Sequence, residues 1–323
     1  MAVISVQDVS KTYTVREQKT GVKGTISSFF RPTVKEVQAV RNLSFAIEPG
    51  AFIGFIGENG AGKSTMIKMM SGILYPTSGE IRTNGLVPYV QRKENAMHIG
   101  VVFGQRSRLI WDLPMVDTFM LYKEIYRIDK TRYEKNVRLF TDMLEMGEYF
   151  LTPVRQLSLG QRMRAEIALS MLHEPPVLFL DEPTIGLDVV AKKYLRDFFK
   201  ERNEKDGTTI ILTSHDMKDL DEIAKRIIMI SKGELLFDGT IDGLKEKYEE
   251  ESVATFSFAN PVDEKSASAL GTVGDAGYKL SVLFYPQRRA LPEIIAEVST
   301  FGTLSNIDVK SADIEDIVRK IYQ

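Results

Sequence analysis

The chain has 323 residues, 43% of them hydrophobic, which is room for one large domain and a small one, or for two of moderate size. Its 42 Lys and Arg against 44 Asp and Glu leave a net charge of −2, so there is no electrostatic case for DNA or RNA as the main partner. No cysteine occurs, which excludes a disulfide framework and a thiolate metal site. The start MAVISVQDVS lacks a basic segment ahead of a long apolar one, and no apolar run approaches the roughly 20 residues needed to cross a bilayer, so any membrane role is expected to pass through a partner.

In chain order, Val3 to Val9 and Leu43 to Ile47 read as strands. Between them Lys11, Arg16, Lys19, Lys23, Arg31 and Lys35 face only Glu17, with Ile26, Phe29 and Phe30 just before Pro32. This basic insertion, about residues 14–36, reads either as a contact for anionic lipid or a partner helix, or as a solvated surface loop. Phe52 to Ile56 is an apolar run of buried-strand length, and Met66 to Ser71 reads as a helix stopped at Gly72. Pro76 to Glu80 is a turn cluster leading into a strand, and Ile99 to Phe103 is an apolar run ending in Gly104-Gln105. From Trp111 to about Leu172 apolar residues recur at helical spacing, in Val116 to Ile128 and Val137 to Met146, bounded by Pro114 and Pro153; this predicts a helical insert. Val177 to Glu182 reads as a buried strand ending in two carboxylates. Thr209 to Thr213 and Arg226 to Ile230 are further strands, and Ser231-Lys232-Gly233 turns the second into Glu234 to Asp238. Beyond the charged stretch Leu244 to Glu251, the pattern predicts a strand-strand-helix-strand-helix module: Val253 to Phe258, Tyr278 to Tyr285, Ala290 to Ser299, Leu304 to Val309 and Ala312 to Tyr322.

The stretch from Gly57 to Thr65, GENGAGKST, fits G-x-x-x-x-G-K-[ST] with a strand before it and a helix after it. In that setting Gly57, Asn59, Gly60, Ala61 and Gly62 turn backbone N–H groups towards phosphates at a helix N-terminus. Lys63 reaches the outer phosphates, Ser64 binds Mg²⁺, and Thr65 is counted with them among the nucleotide-binding residues. Asp181, at a strand end beside this loop, can hold Mg²⁺ directly or through water, which leaves Glu182 to orient and deprotonate an attacking water.

Leu157-Ser158-Leu159-Gly160-Gln161, ahead of the helix Arg162 to Leu172, resembles the signature motif of ABC ATPases, usually LSGGQ; Leu159 stands where the common motif has glycine. Walker A at Gly57 to Thr65, a Q-loop glutamine at Gln105, Walker B at Leu178 to Glu182, a D-loop at Gly186-Leu187-Asp188 and a switch histidine at His215 complete the family's set in its order. The resemblance covers about residues 1–245. It implies an α/β fold: a P-loop ABC ATPase core with an N-terminal antiparallel β subdomain and a helical subdomain at about 105–172, followed by a C-terminal α+β accessory module at 246–323. It further implies ATP and Mg²⁺ as ligands, with Gln105 sensing Mg²⁺ and the attacking water, His215 on the γ-phosphate, and Tyr13 stacking on adenine. Ser158 is placed to cap its helix, so Ser158, Gly160 and Gln161 can present that N-terminus to a phosphate held by a second copy, in a head-to-tail homodimer that Asp188 also joins.

The strings FGQRSRLIWDLP and LSLGQRMRAEIALSMLHEPPVLFLDEPTIGLDVVAKK resemble ATPases paired with ABC-2-type export permeases. This implies a motor subunit at the cytoplasmic face of the membrane that docks its helical insert on separate permease subunits, with Trp111, Leu113, Met115 and Phe119 as candidate contacts. The insertion after Tyr13 resembles one in some polysaccharide-exporter ATPases, which adds lipid-linked glycans to the substrate classes. Soluble ABC proteins acting on ribosomes or DNA are the alternative. The former resemble two cassettes in one chain and the latter carry a long coiled coil, and neither feature is present.

Overall fold

The structure, a computed structural model, describes residues 2–17, 33–104, 107–214, 217–248, 252–285, 288–311 and 314–322. Gln105, His215 and residues 18–32 of the basic insertion lie outside them. The chain forms two compact units, Met1–Gly239 and Thr240–Gln323.

The first unit is built on a six-stranded sheet. Its strands are β3 (Phe52–Gly57), β5 (Ile99–Phe103), β6 (Val177–Asp181), β7 (Thr209–Thr213), β8 (Arg226–Ser231) and β9 (Glu234–Gly239), in the order β5-β6-β7-β3-β8-β9. All pairs are parallel except β8 with β9. Every residue of β3 and β7 is buried, which is what a parallel strand covered on both faces demands and why these strands read as unbroken apolar runs. Cutting a fully buried ring such as Phe179 back to Ala would cost about 3–5 kcal/mol.

A second sheet of three antiparallel strands, in the order β2-β1-β4, joins β1 (Ile4–Glu17), β2 (Thr33–Ile47) and β4 (Ser78–Thr83). The first two strands are far longer than the sequence pattern predicts. Their ladder runs on through Tyr13↔Val37 and Val15↔Lys35 to Glu17↔Thr33, so both ends of the expected insertion are paired strand. β-Branched and aromatic residues (Thr12, Tyr13, Thr14, Val15, Val34, Val37) supply that pairing, and the charges between them hide it from a periodicity reading.

The helices of this unit are α1 (Lys63–Met70), α2 (Arg92–Met97), α3 (Met115–Ile125), α4 (Lys130–Met143), α5 (Leu159–Met171), α6 (Val189–Asp206) and α7 (Met217–Ile223). The helical insert corrects one expectation: Met115 and Phe119 are fully buried and fill the insert's own core, while Trp111 and Leu113 are exposed. Phe119 lies edge-on to Phe150, with ring centroids 5.4 Å apart, so its side chain is committed inward.

The turn between β8 and β9 carries Lys232 at φ 49° and Gly233 at φ 83°, the two left-handed residues of a tight hairpin. Gly233 bridges two other segments. Its N–H donates to the Ala61 carbonyl (3.1 Å), its carbonyl accepts from Arg41 N–H (2.8 Å), and a Cβ here would lie 2.9 Å from the Ala39 oxygen.

The second unit opens with α8 (Ile241–Lys247), whose start is capped by Thr240. The unit continues with β10 (Ser252–Phe258), α9 (Glu264–Ala267), β11 (Thr272–Gly274), β12 (Lys279–Phe284), α10 (Leu291–Val298), β13 (Leu304–Ser311) and α11 (Ile314–Tyr322), its strands ordered β11-β12-β10-β13. Alternate residues of β10 are buried, and Ala254, Phe256 and Phe258 meet Leu280, Val282, Ile294 and Val298 in a separate core. The short α9 and β11, of four and three residues, escape a sequence reading because neither completes a second period.

Candidate functional site

The site forms where β3, β6 and β7 end together. β3 delivers the chain into the loop at Gly57. Gly60 (φ 84°) and Gly62 (φ 107°) turn it, and at Gly62 a Cβ would come within 2.5 Å of the Ala39 carbonyl, so only glycine fits. α1 follows with no side chain capping it, which leaves its first N–H groups directed out of the helix end. Lys63, at its first position, is buried, and its Nζ donates to the carbonyls of Gly57 (2.5 Å) and Glu58 (3.0 Å). Burial pulls its pKa below the ordinary lysine value, against an opposing push from Glu182, Asp181 and Glu58.

Asp181 ends β6. Its Oδ1 accepts from the hydroxyls of Ser64 (3.1 Å) and Thr213 (2.9 Å), so one oxygen gathers the phosphate loop and β7. Glu182 follows at φ 55°, a left-handed conformation costing about 1 kcal/mol or more for a non-glycine residue. Two bonds from its N–H hold it there, to Thr213 Oγ1 (2.9 Å) and the Thr213 carbonyl (3.2 Å). Gly104 is fixed alongside by its N–H on the Asp181 carbonyl (2.9 Å). Thr213 therefore holds the Asp181 carboxylate and the Glu182 backbone. The sequence reading missed it, although a hydroxyl at the end of a strand beside the carboxylate strand was the available signal.

Two cavities open on this cluster. One, of about 270 Å³, lies over the loop and is lined by Ala39, Glu58, Asn59, Gly60, Gly62, Lys63, Ser64, Thr65 and Glu182. The other, of about 290 Å³, is lined by Ser64, Lys68, Ile73, Phe103, Gly104, Asp181, Glu182 and Ile185. Ser64 and Glu182 belong to both. Tyr13, on β1, stands at the loop's edge with its hydroxyl 3.4 Å from Thr65 Oγ1.

Ser158, Gly160, Gln161 and Asp188 are not among the described residues lining either cavity. They form a cluster of their own. Ser158 caps α5 through Gln161 N–H (3.2 Å), and Gln161 Oε1 accepts from Ser158 N–H (2.9 Å), a complete capping box. Asp188 caps α6 through Ala191 N–H (2.8 Å). The two caps are neighbours: a Cβ on Gly160 would meet Ala191 at 3.6 Å and Leu187 at 3.8 Å, and one on Gly186 would sit 2.9 Å from Leu159 Cδ2. Leu159 thus packs on the loop that carries Asp188.

Residues 40–185 match the ABC transporter family. The chain is 30% identical to the ABC transporter ATP-binding protein NatA of Bacillus subtilis over 69% of its own length and 91% of that protein. It is 33% identical to a putative ABC transporter ATP-binding protein of Methanosarcina mazei over 84% of its length and 90% of that one. The chain belongs to the ABC transporter ATP-binding proteins. A solved ATP-binding cassette, dimeric, in a post-hydrolysis state and bound to ADP and Pi, is 27% identical and superposes with a TM-score of 0.60 over 74% of this chain and 98% of that one. As an ABC ATPase the chain binds and hydrolyses ATP. Among the described residues, no helix is long and apolar enough to cross a membrane.

Proposed function

We propose that this ABC ATPase is the motor subunit of an ABC-2-type exporter. It would act as a head-to-tail homodimer on separate permeases, peripherally at the cytoplasmic face of the membrane. The observation that carries the catalytic part is the junction of the phosphate loop with the strand-end carboxylates, Ser64 Oγ to Asp181 Oδ1 at 3.1 Å.

In this reading, ATP lays its phosphates on the uncapped start of α1, where the helix dipole supplies roughly half a positive charge. Lys63 exchanges its backbone carbonyl partners for phosphate oxygens. Tyr13 stacks on the base. The Ser64 hydroxyl and the Asp181 carboxylate are the hard oxygen donors that suit Mg²⁺, which keeps most of its other positions for phosphate and water. Bound there, Mg²⁺ supplies neutralisation of charge on the phosphoryl group. Glu182 accepts a proton from the attacking water, and its backbone is already fixed by Thr213. Gln105 and His215 take the sensing and γ-phosphate roles on the strength of the motif resemblance alone.

The dimer is supported by the position of α5. Its start, with Ser158, Gly160 and Gln161, lines neither cavity of its own chain, and nor does Asp188, which supports a γ-phosphate partner held by a second copy. Docking of the insert on a permease is supported by the exposed Trp111, Leu113, Met120, Leu121 and Ile125. Export rests on the sequence strings around residues 103–114 and 157–193.

Two measurements test the reading. The hydrolysis rate per chain should rise with protein concentration, and a rate constant on dilution would remove the second copy. Reconstituted with ABC-2-type permease subunits, the complex should move a candidate substrate out of the compartment that holds ATP. Movement inward would overturn export.

A further inference from the structure

Along α5, Glu166 breaks an otherwise apolar run: Ala165, Ile167, Ala168 and Leu169 are all buried, and Glu166 is buried with them at 4% exposure. A carboxylate there needs a full set of partners, and the segment that follows β5 provides them. Its Oε1 accepts from Ser107 Oγ (2.6 Å), Arg108 N–H (2.5 Å) and Leu109 N–H (3.1 Å), and its Oε2 from Arg108 Nε (3.2 Å). The Arg108 guanidinium also donates to the Glu166 backbone carbonyl (3.1 Å). Residues 107–109 are thereby wrapped around one side chain of α5.

Both ends of this clamp lead somewhere. Upstream, three residues before Ser107, Gly104 is bonded to the Asp181 carbonyl, and α5 lies so near β5 that a Cβ on Gly100 would come within 2.6 Å of the Ser170 oxygen. Downstream, Ile110 N–H is held by the Thr118 hydroxyl on α3 (3.1 Å). Glu166 lies two turns, about 12 Å, along α5 from Ser158. A helix gripped at that point cannot tilt without moving residues 107–109.

We infer that Glu166 is a positioning residue: it locks residues 107–109, which follow the catalytic strand edge, onto α5, so that ATP hydrolysis depends on it and ATP binding does not. The inference rests on the reading of α5 as the helix that completes the site of a second copy.

The test uses the full chain. ATP affinity, kcat, KM and melting temperature are compared for wild type, Glu166→Ala, Glu166→Gln, Ser107→Ala and, as a control, Asn136→Ala. Asn136 is a buried residue of α4 that bonds the Leu172 carbonyl and stands outside the clamp. Glu166→Ala should lower kcat at least about tenfold while ATP affinity stays within about threefold. Glu166→Gln, which keeps an oxygen for Ser107, Arg108 N–H and Leu109 N–H, should recover most of that rate. Ser107→Ala should lower kcat about threefold, and it decides the matter if Glu166→Ala does not fold. Asn136→Ala should lower the melting temperature and leave kcat alone. Unchanged kcat in Glu166→Ala or Ser107→Ala, loss of ATP affinity in step with kcat, or an equal loss of kcat in Asn136→Ala would each overturn the inference. The dilution series on wild type is read separately: if the rate per chain does not rise with concentration, the dimer reading fails whatever the variants show.

Discussion

Two helices of the nucleotide-binding unit begin in opposite ways. α1 starts at Gly62 with no side-chain cap and with Lys63 buried at its first position, bonded to carbonyls of its own loop. α5 starts at an exposed Ser158 with both bonds of a capping box made. The first end is left unsatisfied and awaits an anion. The second satisfies itself and can wait in solvent. The difference teaches that a shared preference for phosphate at helix starts does not make the ends equivalent. In the proposed reading one is the resting site for ATP, and the other is a face that costs little to expose until another molecule reaches it.

The comparison can be broken first at the carboxylates that only α1 is near. Glu182→Gln should cut kcat by about 10²- to 10⁴-fold with ATP affinity kept, measured by phosphate release and binding titration; substantial turnover would remove Glu182 from the base role. The far end of α5 gives a pH test. His173 is buried, stacks on Tyr126 and places Nε2 3.1 Å from the Ile99 carbonyl, and burial pushes its pKa down to about 4. The unfolded chain takes up this proton first, near 6.5, so the contribution is intact above pH 6.5 and is lost as pH falls towards 4. The loss is on the order of 3 kcal/mol. Thermal melts from pH 7 to 4 should show that slope in wild type, and His173→Leu should flatten it. At α1, Lys63→Ala should weaken ATP binding by about 10- to 100-fold, while the melting temperature without ATP holds or rises because a buried amine has been removed. The smallest effect belongs to α5: Ser158→Ala should lower stability by about 1 kcal/mol, seen in denaturant melts, and should leave unchanged the ATP affinity of the chain diluted to monomer. Were Ser158→Ala to weaken binding by that dilute monomer as Lys63→Ala does, the two helix starts would serve one ATP within one chain.

The phosphate loop, the carboxylate pair and the capped start of α5 were legible because each lies within a few residues of sequence, where spacing alone dictates geometry. What escaped depends on contacts between distant segments. Thr213 orients Asp181 across 32 residues, and Glu166 gathers Ser107 across 59. Helical periodicity located the insert but could not say which of its apolar residues faced inward. Trp111 and Leu113 therefore stood beside Met115 and Phe119 until packing separated them. The long β1–β2 ladder was hidden for a related reason. Lys35 and Glu36 face solvent on a strand whose pairing partners lie on the far side of the insertion.

Exposed hairpin tips are ordinarily where a protein accepts a tag, an epitope or a fluorophore linker. The β8–β9 turn offers such a tip at Lys232, yet its neighbour Gly233 spends its N–H on Ala61 and its carbonyl on Arg41. A graft between Ser231 and Glu234 would pull that amide away from the phosphate loop. It would therefore register as a defect in nucleotide affinity, which makes this turn a poor handle for labelling and a sensitive one for tuning ATP occupancy.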